Sequence, residues 1–189
     1  MSTAPEEFYS NERWQNWLNR IQDEEIDPED EDSARLLLNL QDDAAIAVVK
    51  ILGAYEEGEL DAEETIAELT EVREIVLREV DIDDEDTAML IDGVQTSLVC
   101  VFLAAEEYVH EGVDSGSIRD RIEAAAEAEA DERLEDALVN CARAGTLVID
   151  GEPLDMSLVA DLEYGLVAEW VNGLDSLSNA MSDPEVVEE

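Results

Sequence analysis

The chain's single histidine closes the run Glu106-Glu107-Tyr108-Val109-His110. Glu107 and His110 are three residues apart, which on a helix brings a carboxylate and an imidazole onto one face. That is the spacing of the Glu-x-x-His pairs in di-iron carboxylate bundles. Such a centre takes two of these pairs and two further glutamates, so with one histidine per chain it closes only where two copies meet on a symmetry axis. On this reading Glu106, Glu107 and His110 hold a divalent or iron-type metal in a helical bundle or a metal-dependent enzyme. The competing reading makes them the solvated end of a helix, where a histidine suits the negative pole.

Other candidates for chemistry are incomplete. Asp81, Asp83 and Glu85 alternate like the first ligands of a calcium loop, but Asp86 stands where that loop needs glycine and Asp92 where it needs glutamate. The run from Asp27 to Asp32 fails in the same way, with Leu38 at the last ligand position. Cys100 and Cys141 sit inside apolar helical patterns, which favours free, buried, unreactive thiols. No G-x-G-x-x-G and no Gly-Lys-Ser/Thr occurs, so no phosphate-cradling loop is expected. Trp14, Trp17 and Trp170 suit a core or an interface, and Trp14 and Trp17, on an N-terminal helix of their own, lean towards an interface. Gly165 and Gly173 lie within the last helical pattern, where each costs about 1 kcal/mol against alanine. Two such costs imply close backbone approach or a bend, and these glycines complete the surface expected to meet a partner.

Charge constrains the chain more sharply than any motif. Aspartate and glutamate number 52 against 10 lysines and arginines, for a formal net charge of −42, and Lys50 is the only lysine. A charged sphere of this size repels itself by about 30 kcal/mol at 0.15 M salt and by about 8 kcal/mol at roughly 3 M. The unfolded chain is repelled too, yet a fraction of that difference rivals a typical stability of about 5–15 kcal/mol. The composition resembles that of cytoplasmic proteins from haloarchaea that accumulate potassium chloride. An anionic surface of this kind disfavours anionic lipid and direct nucleic-acid binding. The chain opens without a basic segment followed by an apolar one, and its longest uncharged apolar stretch, 93–105, is too short to span a bilayer. A soluble cytoplasmic protein is expected.

The elements that must position these residues are helical almost throughout, because apolar residues recur at helical spacing. Hydrophobic residues make up 46% of the chain, enough for a true core. Ser10, the Asp61–Glu64 capping box and Ser117 mark helix starts. The segment from about Asp86 to His110 is apolar on several sides and reads as the central core helix, with Gly93 and Ser97 admitting a close neighbour. Gly112–Gly116 reads as a flexible break. A helix over about 132–144 is expected to end at Gly145, and 146–154, with its Asp150-Gly151 dipeptide, forms either a tiny hairpin or an ordered loop. One last helix is expected over about 157–180. The fold class is therefore all-α, a bundle of about six or seven helices. Its parts are an N-terminal helix over 1–26, one helical domain over 27–181 and a mobile tail over 182–189.

The stretches PEEFYSNERWQNW (5–17), SARLLLNLQDD (33–43), DGVQTSLVC (92–100) and LEYGLVAEWVNGLDSL (162–177) together resemble a haloarchaeal family of uncharacterised acidic proteins, over essentially the full length. The resemblance implies an archaeal, cytoplasmic context and supplies no catalytic residues. The leading expectation is a non-enzymatic helical interaction or scaffold protein without a cofactor, which self-associates or engages a protein partner. The alternative is the metal site at Glu106, Glu107 and His110.

Overall fold

The computed structural model describes residues 9–24, 27, 29–155, 157–162 and 165–182. Among these the chain is all-α, with no strand and eight helices: α1 (Asn11–Asp23), α2 (Glu31–Glu56), α3 (Ala62–Val76), α4 (Glu85–Glu111), α5 (Ile118–Ala130), α6 (Leu134–Ile149), α7 (Ser157–Ala160) and α8 (Leu166–Ser182). Local capping sets most of the starts. Ser10 Oγ accepts from Arg13 N at 3.0 Å, and Ser117 Oγ accepts from Asp120 N at 3.1 Å. Asp61 and Glu64 exchange the two hydrogen bonds of a capping box at 2.8 and 3.4 Å. Each of these satisfies backbone N–H groups that a helix start otherwise leaves unpaired.

Helix α4 is the axis of the bundle and touches α2, α3, α6 and α8. That explains its composition: Leu98, Val101, Phe102, Ala104 and Ala105 point in several directions and are all fully buried. By length and composition α4 could also cross a bilayer, but here its apolar faces meet four other helices. Two close crossings lock it in place. A Cβ added to Gly145 of α6 would stand 2.3 Å from Ala104 Cβ, and one added to Gly173 of α8 would stand 2.2 Å from the Ser97 carbonyl oxygen. The close neighbour expected for Ser97 is therefore α8.

Helix α1 is seated on the bundle, with Trp14, Trp17, Leu18 and Ile21 in the same contiguous core as α2, α3 and α4. A buried charge fixes it there. The Asp43 side chain, 3% exposed, accepts from Arg13 Nε at 2.7 Å, from Arg13 Nη2 and from Trp17 Nε1 at 2.9 Å. A carboxylate this deep needs such partners, and Arg20 lies over the Trp17 ring at 5.7 Å.

The C-terminal third departs from expectation in three places. Thr146–Ile149 form the last turn of α6, and no hairpin follows. Glu152 N bonds Leu147 O and Gly151 N bonds Val148 O, while Gly151 has φ +99°. That is a Schellman cap, for which a left-handed glycine is as well suited as it is for a hairpin turn. Gly145, expected to end the helix, is instead buried inside it. The single helix expected over about 157–180 is divided into α7 and α8, with Gly165 just before α8. Glu129 of α5 takes that place: its Oε2 accepts from Val167 N at 3.2 Å, and its carboxylate would meet any Cβ on Gly165 at 2.8 Å. A carboxylate from another helix thus caps the positive end of α8. The tail expected over 182–189 lies outside the described residues except for Ser182, which ends α8.

Candidate functional site

A groove of about 470 Å³ runs between the first halves of α2, α4 and α8. Ala34, Leu37 and Leu38 of α2 form one wall, and Leu90 and Val94 of α4 form the other. Two of its polar side chains bond within the fold. Gln41 Nε2 donates to Ser176 Oγ at 2.8 Å and to Asn172 O at 3.3 Å, and Ser97 Oγ donates to Gly93 O at 3.1 Å. Gly93 opens the groove, because a Cβ added there meets no atom within 4 Å. Leu38 is 45% exposed, and Met89 on the adjoining face of α4 is 70% exposed. Asp27 and Glu169 stand at the rim. The groove offers mainly apolar contact, which suits an apolar segment better than a polar substrate.

A second concavity, about 660 Å³ and polar, opens at the corner between α4 and α5. The Gly112–Gly116 segment there is pinned. Asp114 takes Arg121 in a two-pronged pair at 2.7 and 2.8 Å, accepts from Gly116 N at 2.9 Å, and donates its own N–H to Thr146 Oγ1 at 3.0 Å. The guanidinium beside it holds the Asp114 carboxyl below its ordinary range, and Asp114 in turn raises Arg121. Arg143 and Glu107 border the same space, with Arg143 Nε 4.0 Å from Glu107 Oε1.

The metal-ligand candidates turn in different directions. Glu106 Oε1 accepts from Arg73 Nη1 of α3 at 2.5 Å, Glu107 leans towards Arg143 of α6, and His110 is exposed at the last turn of α4. Between them Tyr108 donates to Glu56 at 2.6 Å, and that bond, helped by burial, pushes its hydroxyl up to about 12. Among the described residues no three His, Cys, Asp or Glu side chains gather where they could hold a metal ion.

The interface candidates lie against the chain's own helices. Trp14, Trp17 and Trp170 are 2%, 4% and 6% exposed within one chain, Gly173 backs onto Ser97 and Gly165 faces Glu129. The groove was not singled out by the sequence, although its signal was present. Gly93 and Ser97, one turn apart on the most apolar helix, announce room for a neighbour, and α8 fills that room only at Ser97.

No curated protein and no solved structure matches the chain. The family described as uncharacterized protein conserved in archaea (DUF2150) matches residues 7–189, nearly the whole length, and the chain belongs to that family.

Proposed function

We propose that this chain is a non-enzymatic helical interaction protein, adapted to molar salt in a haloarchaeal cytoplasm, that docks an apolar segment of a partner protein in the α2/α4/α8 groove. The observation that carries the reading is the uncharged apolar wall of that groove, left open at Gly93, on a chain of net charge −42. Charge complementarity selects the occupant. Asp27 and Glu169 at the rim, with Glu31 and Asp32 opening α2 and Glu85 and Asp86 opening α4, favour an apolar helix flanked by arginine or lysine. A second copy brings the same negative field and is the weaker candidate. In molar salt that preference acts only at contact distance, between the carboxylates and the flanking basic side chains, and apolar burial supplies the affinity.

The test uses the full chain in about 3 M potassium chloride, where screening is strongest. The probe is a synthetic helical peptide with leucines at i, i+3 and i+7 and arginines at both ends, followed by fluorescence anisotropy. Gly93→Gln fills the groove with a good helix former and should weaken binding at least tenfold while the melting temperature holds or rises. Equal binding by Gly93→Gln would overturn the reading. So would a dimer in sedimentation that Gly93→Gln dissolves, because the occupant would then be a second copy.

A further inference from the structure

Cys100 of α4 and Cys141 of α6 are both fully buried free thiols, near enough that Cys141 bears on the ionisation of Cys100. The helices that carry them are held unusually close. Four residues further along each helix, a Cβ added to Gly145 would stand 3.6 Å from Ala104 Cα. The two Cα atoms are therefore within about 5 Å, that separation plus one C–C bond. A disulfide joins Cα atoms about 4.4–6.8 Å apart. The step from 100 to 104 and the step from 141 to 145 both run forward, so α4 and α6 are parallel here. Cys100 and Cys141 thus face each other one turn from the close approach of Ala104 to Gly145.

We propose that Cys100 and Cys141 form a latent disulfide, which closes on exposure to a peroxide and ties α4 to α6. In the closing step one thiolate attacks the peroxide, the O–O bond breaks, and water leaves as that sulfur becomes a sulfenic acid. The second thiol then displaces hydroxide from it, forming the Sγ–Sγ bond and releasing another water. Two S–H bonds are lost, the dithiol gives up two electrons, and one peroxide becomes two waters. Burial and the neighbouring thiol push the Cys100 thiol up and away from the reactive thiolate. The resting pair is therefore slow, and closure follows brief separation of α4 and α6. Once made, the link closes the chain around α5 and removes freedom from the unfolded state. It forms without any help from the groove.

The experiment treats the intact protein with hydrogen peroxide in molar potassium chloride at temperatures rising towards the melting point. Titration in denaturant should show the two thiols disappear together as the mass falls by two hydrogen atoms. A peptide map should link Cys100 to Cys141, and the melting temperature should rise and return with a dithiol reductant. Cys100→Ala should keep one thiol and gain no internal link. Oxidation that yields only cross-chain dimers or sulfinic acid, both thiols surviving throughout, or a linked protein that melts earlier would each overturn the proposal.

Discussion

Four glycines lie inside helices, and the space around them sorts their alanine variants into two classes. Gly53 and Gly93 meet nothing within 4 Å of an added Cβ. Alanine there should stabilise by about 1 kcal/mol, the ordinary helix-interior difference. Gly145 and Gly173 are closed. The added methyl would stand 2.3 Å from Ala104 Cβ and 2.9 Å from Leu174 Cδ2 in the first case, and 2.2 Å from the Ser97 carbonyl oxygen in the second. Optimal carbon–carbon contact is about 3.5–4.0 Å, so α6 or α8 must move away from α4 by more than about 1 Å. Neither Ala104 nor the Ser97 backbone has a rotamer to yield. Overpacking of this kind costs about 3 kcal/mol, and after the propensity gain a net loss of about 2 kcal/mol remains. For a chain of this length that is a fall of about 4–8 °C for Gly173→Ala and a rise of about 2–4 °C for Gly93→Ala. Thermal unfolding by circular dichroism in molar potassium chloride reads all four variants. A Gly173→Ala protein as stable as the parent would refute the close crossing of α8 and α4.

The remaining predictions concern one backbone position and the acid side of the pH scale. Glu132 holds φ +63° at the end of α5, where Arg133 N bonds Ala128 O in a cap that favours glycine; Glu132→Gly should gain about 1 kcal/mol in chemical denaturation, the left-handed cost relieved. Burial raises the Asp42 carboxyl, Asp175 adding to it and Ser176 opposing, and burial raises Asp175 and Glu68 as well. Groups raised in the folded state bind protons more tightly there, so stability should rise as pH falls from 7 through their folded values and be complete only below the ordinary carboxylate range. Asp114, lowered by Arg121, works the other way and is lost at still lower pH. Melting temperature against pH in dilute salt should therefore peak near about pH 4, at the ordinary carboxylate values, and Asp42→Asn should flatten the rise. A steady fall from pH 7 to 5 would refute it.

What the sequence made legible was local. Ser10, Asp61 and Ser117 announce their helices because a cap needs only the next three residues. The breadth of apolar contact in α4 announces a central helix. Asp150-Gly151 misleads because the same left-handed glycine serves a hairpin and a Schellman cap, and only the burial of Leu147, Val148 and Ile149 decides between them. Gly173 signals close approach without naming Ser97 as the neighbour. The pair of Arg13 with Asp43 spans 30 residues and has no spacing that a reader of the sequence could recognise. The groove is harder still. Gly93 and Gly173 look alike in sequence, and only the placement of α8 covers one and leaves the other open.

The Glu129 cap on α8 carries a consequence for how the chain assembles. The start of the last helix is held by a residue 38 positions earlier. When the protein is made from its N-terminus, α5 has already left the ribosome when Val167 emerges, and the receptor for the helix end is waiting. Gly173, on the same helix, meets Ser97, so both anchors of α8 are residues that precede it in the chain. A chain permuted to begin at α8 keeps every contact of the finished fold, yet it must make that helix before its cap exists.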